Sequence, residues 1–166
     1  GRMIRKAFLP VNDIFLSADY SQMKLRVLAH VSGSLELQQA FINDEDIHTR
    51  VAADIYGVSM DEVSKLMRKT AKAVIFGIVY GISGFGLGEN LEITAKEAKE
   101  FINKYYELYP GVKNYMDTIV QEAYRDGYVK TLFKRKRVID ELNNKNFMIR
   151  QSGERIALNT PIQGTS

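Results

Sequence analysis

The sequence predicts an α+β fold, predominantly helical, with one short strand and one β-hairpin. Three observations predict it. Two capping-box sequences, "SMDE" at 59–62 and "TAKE" at 94–97, each open a helical run. Gly33, Gly57, Pro110 and Gly127 stand where such runs would stop. Strand-like stretches occur in only two places, at 13–19 and on either side of the basic tetrapeptide 134–137.

Taken in order, "DIFLSAD" (13–19) has the form of a short buried strand ending in an acid. "YSQMKLRVLAHVSG" (20–33) follows as a helix, with Ser21 as N-cap and Gly33 just past the end. Short helices are predicted over 35–42 and 46–56. A longer one begins with the Ser59/Glu62 box and runs over 60–80, broken by "GISGFGLGE" (81–89). Thr94 and Glu97 start a helix reaching Tyr109, and another spans 111–126. "YVKTLF" and "RVIDEL" form the hairpin, and 147–163 returns to helix. Repeats, low-complexity tracts and linkers are absent from the sequence.

The 166 residues suffice for one compact domain or a piece of a larger one, and 45% hydrophobic with 26% charged residues is the balance of a folded chain. No Cys is present, which excludes disulfides and thiolate metal sites. The apolar run 73–82 is too short to span a bilayer, so no membrane partner is expected. The opening residues do not have the pattern of a secretory signal, and a cytoplasmic, non-secreted protein is expected. The net charge of +3 is mild; its clustering in Lys134, Arg135, Lys136 and Arg137 is the informative feature. The opening without Met and the ending at "QGTS" have the form of an excised segment.

The helix over 60–80 carries an unusual stripe. Arg68, Lys72, Phe76 and Tyr80 recur every fourth residue. Each step drifts only about 40° around the helix and rises roughly 6 Å. Ala71, Val74, Ile75, Ile78 and Val79 occupy the other faces as core material. Two cations leading into two rings suit a ligand with a polyanionic end and a flat end, such as a nucleoside triphosphate. The plainer alternative is a solvated face. Asp19, at the end of an apolar strand before a tight turn, is placed as a metal-binding carboxylate or, equally, as an ordinary turn acid. Arg155, Asn159 and Gln163 again recur at four, and such donors can reach a nucleic-acid minor groove or simply face water. His48 in "DIHT" is either a phosphate contact or a capped surface residue; His30 fits a packed helix position. The glycines of 81–88 do not follow the spacing of a phosphate cradle.

In order and spacing, "DYSQ..LR..AH.SG", "DIHT", "MRK.AK...FG..YG", "GYV.TLF.R.R" and "ER.A.N.P.QG" closely resemble the family A DNA polymerases over essentially the whole chain. The resemblance implies a first palm segment with the catalytic strand (1–34), helical fingers (35–126), and a hairpin and helix returning to a partial palm (127–166). It implies that Asp19 and the backbone carbonyl of Tyr20 bind a pair of Mg2+ ions. Arg68, Lys72 and His48 would hold the incoming nucleotide's phosphates, Phe76 the sugar, and Tyr80 the templating side. Gln22 and Lys24 would lie beside the sugar, Lys24 where the family usually has a Glu that limits ribonucleotide entry. Arg155, Asn159 and Gln163, with Lys134 and Arg135, would touch primer–template DNA. Ile75 stands where Asn is common, and the family's later "HDE" motif lies beyond the last residue.

The function so implied is template-directed DNA synthesis, transferring a nucleotide from a deoxynucleoside triphosphate to a primer 3′-hydroxyl by a two-metal route. It requires the remaining thumb and palm segments as partners, and the isolated fragment is expected to be inactive. The rival reading is a non-catalytic nucleic-acid-binding module that keeps the fold. Lys24 is expected to pair with Asp19 or to swing into solvent, and a Glu there would complete a capping box with Ser21.

Overall fold

The computed structural model describes residues 4–166; residues 1–3, which open the predicted first segment, and the side chains of Arg5 and Lys6 lie outside the described residues. The helices follow their caps. Gly33 closes α1 (Met23–Ser32) in the left-handed conformation, and α2 (Leu35–Ile42) follows directly. Asp46 accepts from the Thr49 amide to start α3 (Ile47–Tyr56), which ends at left-handed Gly57. Ser64 starts α4 (Lys65–Val79), Ser83 starts α5 (Gly84–Leu91), and the Thr94/Glu97 box starts α6 (Ala95–Leu108). Pro110 is the first residue of α7 (Pro110–Asp126), where its missing N–H costs nothing. A two-stranded antiparallel hairpin, β1 (Tyr128–Lys130) and β2 (Lys136–Val138), pairs Tyr128 with Val138 and leads into α8 (Phe147–Gln163).

Several boundaries differ from the sequence reading, and each has a cause. Residues 13–19 form no strand. Among the described residues the hairpin is the whole sheet, so the segment has no ladder partner, and Ile14 and Leu16 are 78% and 94% exposed. Ser21 does not cap α1; Gln22 occupies that position in the left-handed conformation and makes no side-chain cap bond. The Ser59/Glu62 box forms as predicted but closes a separate 3-10 turn, Met60–Glu62, and α4 starts afresh at Ser64. The glycine-rich break holds a short helix of its own. A Cβ on Gly88 would stand 2.9 Å from the Ile93 carbonyl oxygen, so glycine there lets α5 end against the turn into α6. The hairpin strands are shorter than predicted, and a 3-10 turn, Asp140–Asn143, takes the end of "RVIDEL". His30 is exposed rather than packed.

One large core joins α1 to α7. The spacing of Ala71, Val74, Ile75 and Ile78, all buried on α4, turns one face of that helix inward against α3, α5 and α6. Burial of Val74, Ile75, Ile78 and Val79 contributes about 1.5–3 kcal/mol each. Tyr105 and Tyr109 stack with centroids 4.8 Å apart, and the Tyr109 hydroxyl donates to Asp54, tying the α6–α7 junction to α3. A smaller core of Ala123, Val129, Ile139, Leu142 and Ala157 seats the hairpin and α8 against α7. Gly81, at φ +64°, turns the chain out of α4; a Cβ there would meet Arg155 Cγ of α8 at 2.9 Å.

The α3 face that packs on α4 includes His48, only 6% exposed, with its ring 6.0 Å from that of Phe76. Burial lowers its pKa from the usual 6.5, the positive charges of Arg68 and Lys72 add to this, and Asp46 opposes it. The unfolded chain therefore binds a proton that the fold refuses until lower pH. Stability from this residue is full above pH 6.5 and is lost as pH falls through that value toward the lowered one, by at most about 1.4 kcal/mol per pH unit. Thermal melts from pH 7.5 to 5.5 are expected to show this decline, and His48→Gln to flatten it; identical slopes would remove His48 as the cause.

Candidate nucleotide site

Between the start of α1 and the outward face of α4 lies an open cavity of about 580 Å³. Seven of the predicted residues line it: Asp19, Tyr20, Gln22, Lys24, His48, Lys72 and Phe76. Met23 and Leu25 form apolar wall, and Ser166 reaches the rim from beyond α8. Residues from four separate parts of the sequence thus converge. The α4 contribution follows from its packing: with Ala71, Val74, Ile75 and Ile78 turned inward, Lys72 and Phe76 are left on the opposite side.

The aromatic part of the site is pre-assembled. Phe76 and Tyr80 lie nearly parallel, 16° apart with centroids 6.1 Å from each other, and Lys72 Nζ is 5.8 Å from the Phe76 centroid. Lys72 is exposed and pairs with no carboxylate among the described residues, so no acid there competes with a ligand for it. Two buried polar atoms, Gln22 Oε1 and His48 Nδ1, have no hydrogen-bond partner among the described residues. Unpartnered polar atoms beside a cavity are groups that a bound molecule or water can satisfy.

The two ends of the stripe are otherwise engaged. Arg68 does not line the cavity; its Nε and Nη2 donate to the two Asp46 carboxylate oxygens at 2.8 and 3.1 Å. That guanidinium holds Asp46 well below the usual carboxylate range. Tyr80 accepts a 2.8 Å hydrogen bond from Lys24 Nζ, which also stands 5.4 Å from the tyrosine ring centroid. Lys24 therefore takes neither expected course: it is half-buried, bonded to a phenol, and makes no ion pair with Asp19. Asp46 was not singled out in the sequence. "DIHT" shows an Asp-x-x-Thr cap, but a partner 22 residues onward leaves no local signal.

For metal, the described residues offer little. Asp19 is exposed at the cavity wall, and no group of three or more His, Asp or Glu side chains among the described residues could hold an ion. A magnesium ion wants six oxygens in near-octahedral array. One carboxylate and the Tyr20 carbonyl do not make a two-ion site.

The second predicted constellation only partly assembles. Arg135, Asn159 and Gln163 line a basic hollow of about 380 Å³ between the hairpin turn and α8, where Lys136 and Arg137 join them. Arg155 and Lys134 lie outside it: Arg155 packs beside Gly81, and Lys134 takes the left-handed position of the hairpin turn, its amide bonded to the Thr131 carbonyl. Asn159 Oδ1 is buried without a hydrogen-bond partner among the described residues.

The sequence model described as DNA polymerase family A matches residues 1–166. DNA polymerase I of Bacillus subtilis (strain 168) is 56% identical and that of Bacillus caldotenax 55%, each over all of this chain and 19% of the relative. The chain thus spans about one fifth of the length of the curated relatives it matches. Among solved structures, the POL domain of Pol1 from M. smegmatis, in complex with DNA primer-template and dNTP, is 40% identical with a TM-score of 0.84. That match covers 89% of this chain and 26% of the solved one. Matched from end to end by the family's sequence pattern and across most of its length by its fold, this chain belongs to DNA polymerase family A.

Proposed function

We propose that the chain is the nucleotide-holding part of a DNA-directed DNA polymerase, acting in template-directed DNA synthesis. Residues 1–34 would belong to the palm, 35–126 to the fingers and 127–166 to the return toward the palm. The observation that supports this most directly is the cavity in which a free cation, Lys72, and a ring, Phe76, on α4 face Asp19 across from α1. A deoxynucleoside triphosphate fits that order of groups: phosphates on the cation, sugar and base on the rings. Kinship with a polymerase domain bound to primer-template and dNTP supports the same partners.

In this reading Lys72 and Arg68 neutralise the triphosphate, with His48 beside them, and Phe76 and Tyr80 bound the sugar and template sides. Gln22 and Lys24 flank the sugar. Arg135, Asn159 and Gln163, with Arg155 and Lys134 nearby, contact primer–template DNA, mainly through its backbone. Magnesium would supply charge neutralisation at the reacting phosphate. Asp19 and the Tyr20 carbonyl are the oxygens this chain brings toward it, and further acids must come from remaining polymerase segments. The chain's own contribution is to bind and orient the nucleotide.

Purified alone, the chain is expected to give no primer extension with magnesium and all four deoxynucleotides. Template-dependent extension by this segment would overturn the division of labour just described. In the complete polymerase, Lys72→Ala is expected to weaken nucleotide use by on the order of 2–4 kcal/mol in transition-state stabilisation, and Lys69→Ala by far less. Steady-state kcat/KM for both variants decides it; equal losses would make the stripe an ordinary charged face.

Lys24 stands at the second position of α1, a cation at the positive end of the helix dipole. Glutamate there would reverse the bond to Tyr80, accepting from its hydroxyl, and would remove the unfavourable charge. The capping-box gain expected from the sequence does not apply, because Gln22 and not Ser21 is the N-cap. Lys24→Glu is expected to raise the preference for deoxy- over ribonucleotides by at least about tenfold, roughly 1.4 kcal/mol. Single-turnover incorporation of matched pairs by both versions is the measurement, and an unchanged ratio would remove Lys24 from sugar selection.

A further inference from the structure

The Asp46 carboxylate sits at the start of α3 and is fixed from two sides. The Thr49 amide at 3.1 Å and the Thr49 hydroxyl donate to it from α3. Arg68 donates to it from α4 through Nε and Nη2. Gln22 Nε2, beside the cavity, approaches it at 3.5 Å. The pair is substantially exposed, with side-chain accessibilities of 46% for Arg68 and 34% for Asp46, so it adds little to stability. It does fix direction. A guanidinium carries five N–H donors in a rigid plane, and this carboxylate takes the Nε/Nη2 edge. Nη1 and the outer Nη2 hydrogen have no partner among the described residues. Those remaining donors form the end-on fork that suits a phosphate. Arg68 lies one turn before Lys72, and its charge already lowers the proton affinity of His48 on the cavity wall.

Resting on the nucleotide reading above, we propose that Asp46 is a positioning residue for the triphosphate. It holds Arg68 by one edge so that the other edge stays aimed at the phosphates beside Lys72. Without it, Arg68 is a long side chain in the first turn of α4 that must be ordered anew each time a nucleotide binds.

The test uses the complete polymerase carrying this segment, with single-turnover incorporation titrated by the complementary deoxynucleoside triphosphate. This separates apparent Kd from maximal rate. Asp46→Asn retains an acceptor for the Thr49 amide, so α3 keeps its cap, and a melting curve checks that the fold is intact. The expected result is an apparent Kd raised about fivefold or more, with no further rise when the same change is made in an Arg68→Ala background. Arg68→Lys, a point charge without the fork, is expected to lose affinity as Asp46→Asn does, and it carries the test if Asp46→Asn fails to fold. An unchanged Kd, an equal rise in both backgrounds, or wild-type affinity in Arg68→Lys would each overturn the proposal. A tighter Kd in Asp46→Asn would overturn it too, showing a carboxylate that competes with phosphate. If Arg68→Ala alone leaves Kd unchanged, the phosphate reading of Arg68 fails first, and the role of Asp46 falls with it.

Discussion

The burial of one face of α4 is the constraint on which the site depends. Val74 and Val79 are fully inaccessible and Ile75 nearly so, packed between α3, α5 and α6. Rotating the helix by even one residue, about 100°, would bring exposed Lys72 toward that core. The helix phase is therefore fixed by hydrophobic burial. The direction in which Lys72 and Phe76 point is a consequence of it. Binding geometry is set here by the core, and the polar side chains need only be of the right type at the right spacing.

The two ends of the stripe are fixed by a different means. Arg68 and Tyr80 each reach across to another element, to Asp46 before α3 and to Lys24 on α1. Neither bond is deeply buried, so neither is a large stability term. Their effect is to remove rotamer freedom from the residues at either end, while the middle pair, Lys72 and Phe76, is left open to the cavity. Charge is arranged in the same way. Of the stripe's two cations, the one lining the cavity pairs with no carboxylate among the described residues, and the one a turn away is already paired. Burial of His48 beside them lowers its proton affinity and so disfavours a further positive charge at close range.

Much of this was legible in the sequence because helices announce themselves locally. Ser59 with Glu62, Thr94 with Glu97, Pro110, and the glycines at 33, 57 and 127 all act where they stand. The stripe was legible too, since a period of four needs only a helix to become a surface. Contacts across the chain were not. Nothing in "NDEDIHT" says that Asp46 meets Arg68, and nothing near Lys24 says that it meets Tyr80, 56 residues on. The apparent N-cap Ser21 lost to Gln22 because the chain enters α1 through a left-handed residue, a backbone choice that composition does not signal.

The instructive failure is "DIFLSAD". Its short apolar run ending in an acid reads as a buried strand, yet a strand is a property of a pair, and among the described residues nothing pairs with it. Ile14, Phe15 and Leu16 are exposed in consequence, a run of apolar surface that a stable fold would cover. The site is thus built unevenly. The wall carrying Lys72, Phe76 and His48 is locked by the helical core. The wall carrying Asp19 hangs on a segment with no ladder of its own. A carboxylate can be held to the tolerance that metal chemistry demands only when its backbone is hydrogen-bonded on a rigid element. On the proposed reading, the half of the site that this chain locks by itself is the half that would grip the nucleotide. Holding Asp19 to that tolerance would take a strand partner for residues 13–19, which the described residues do not supply.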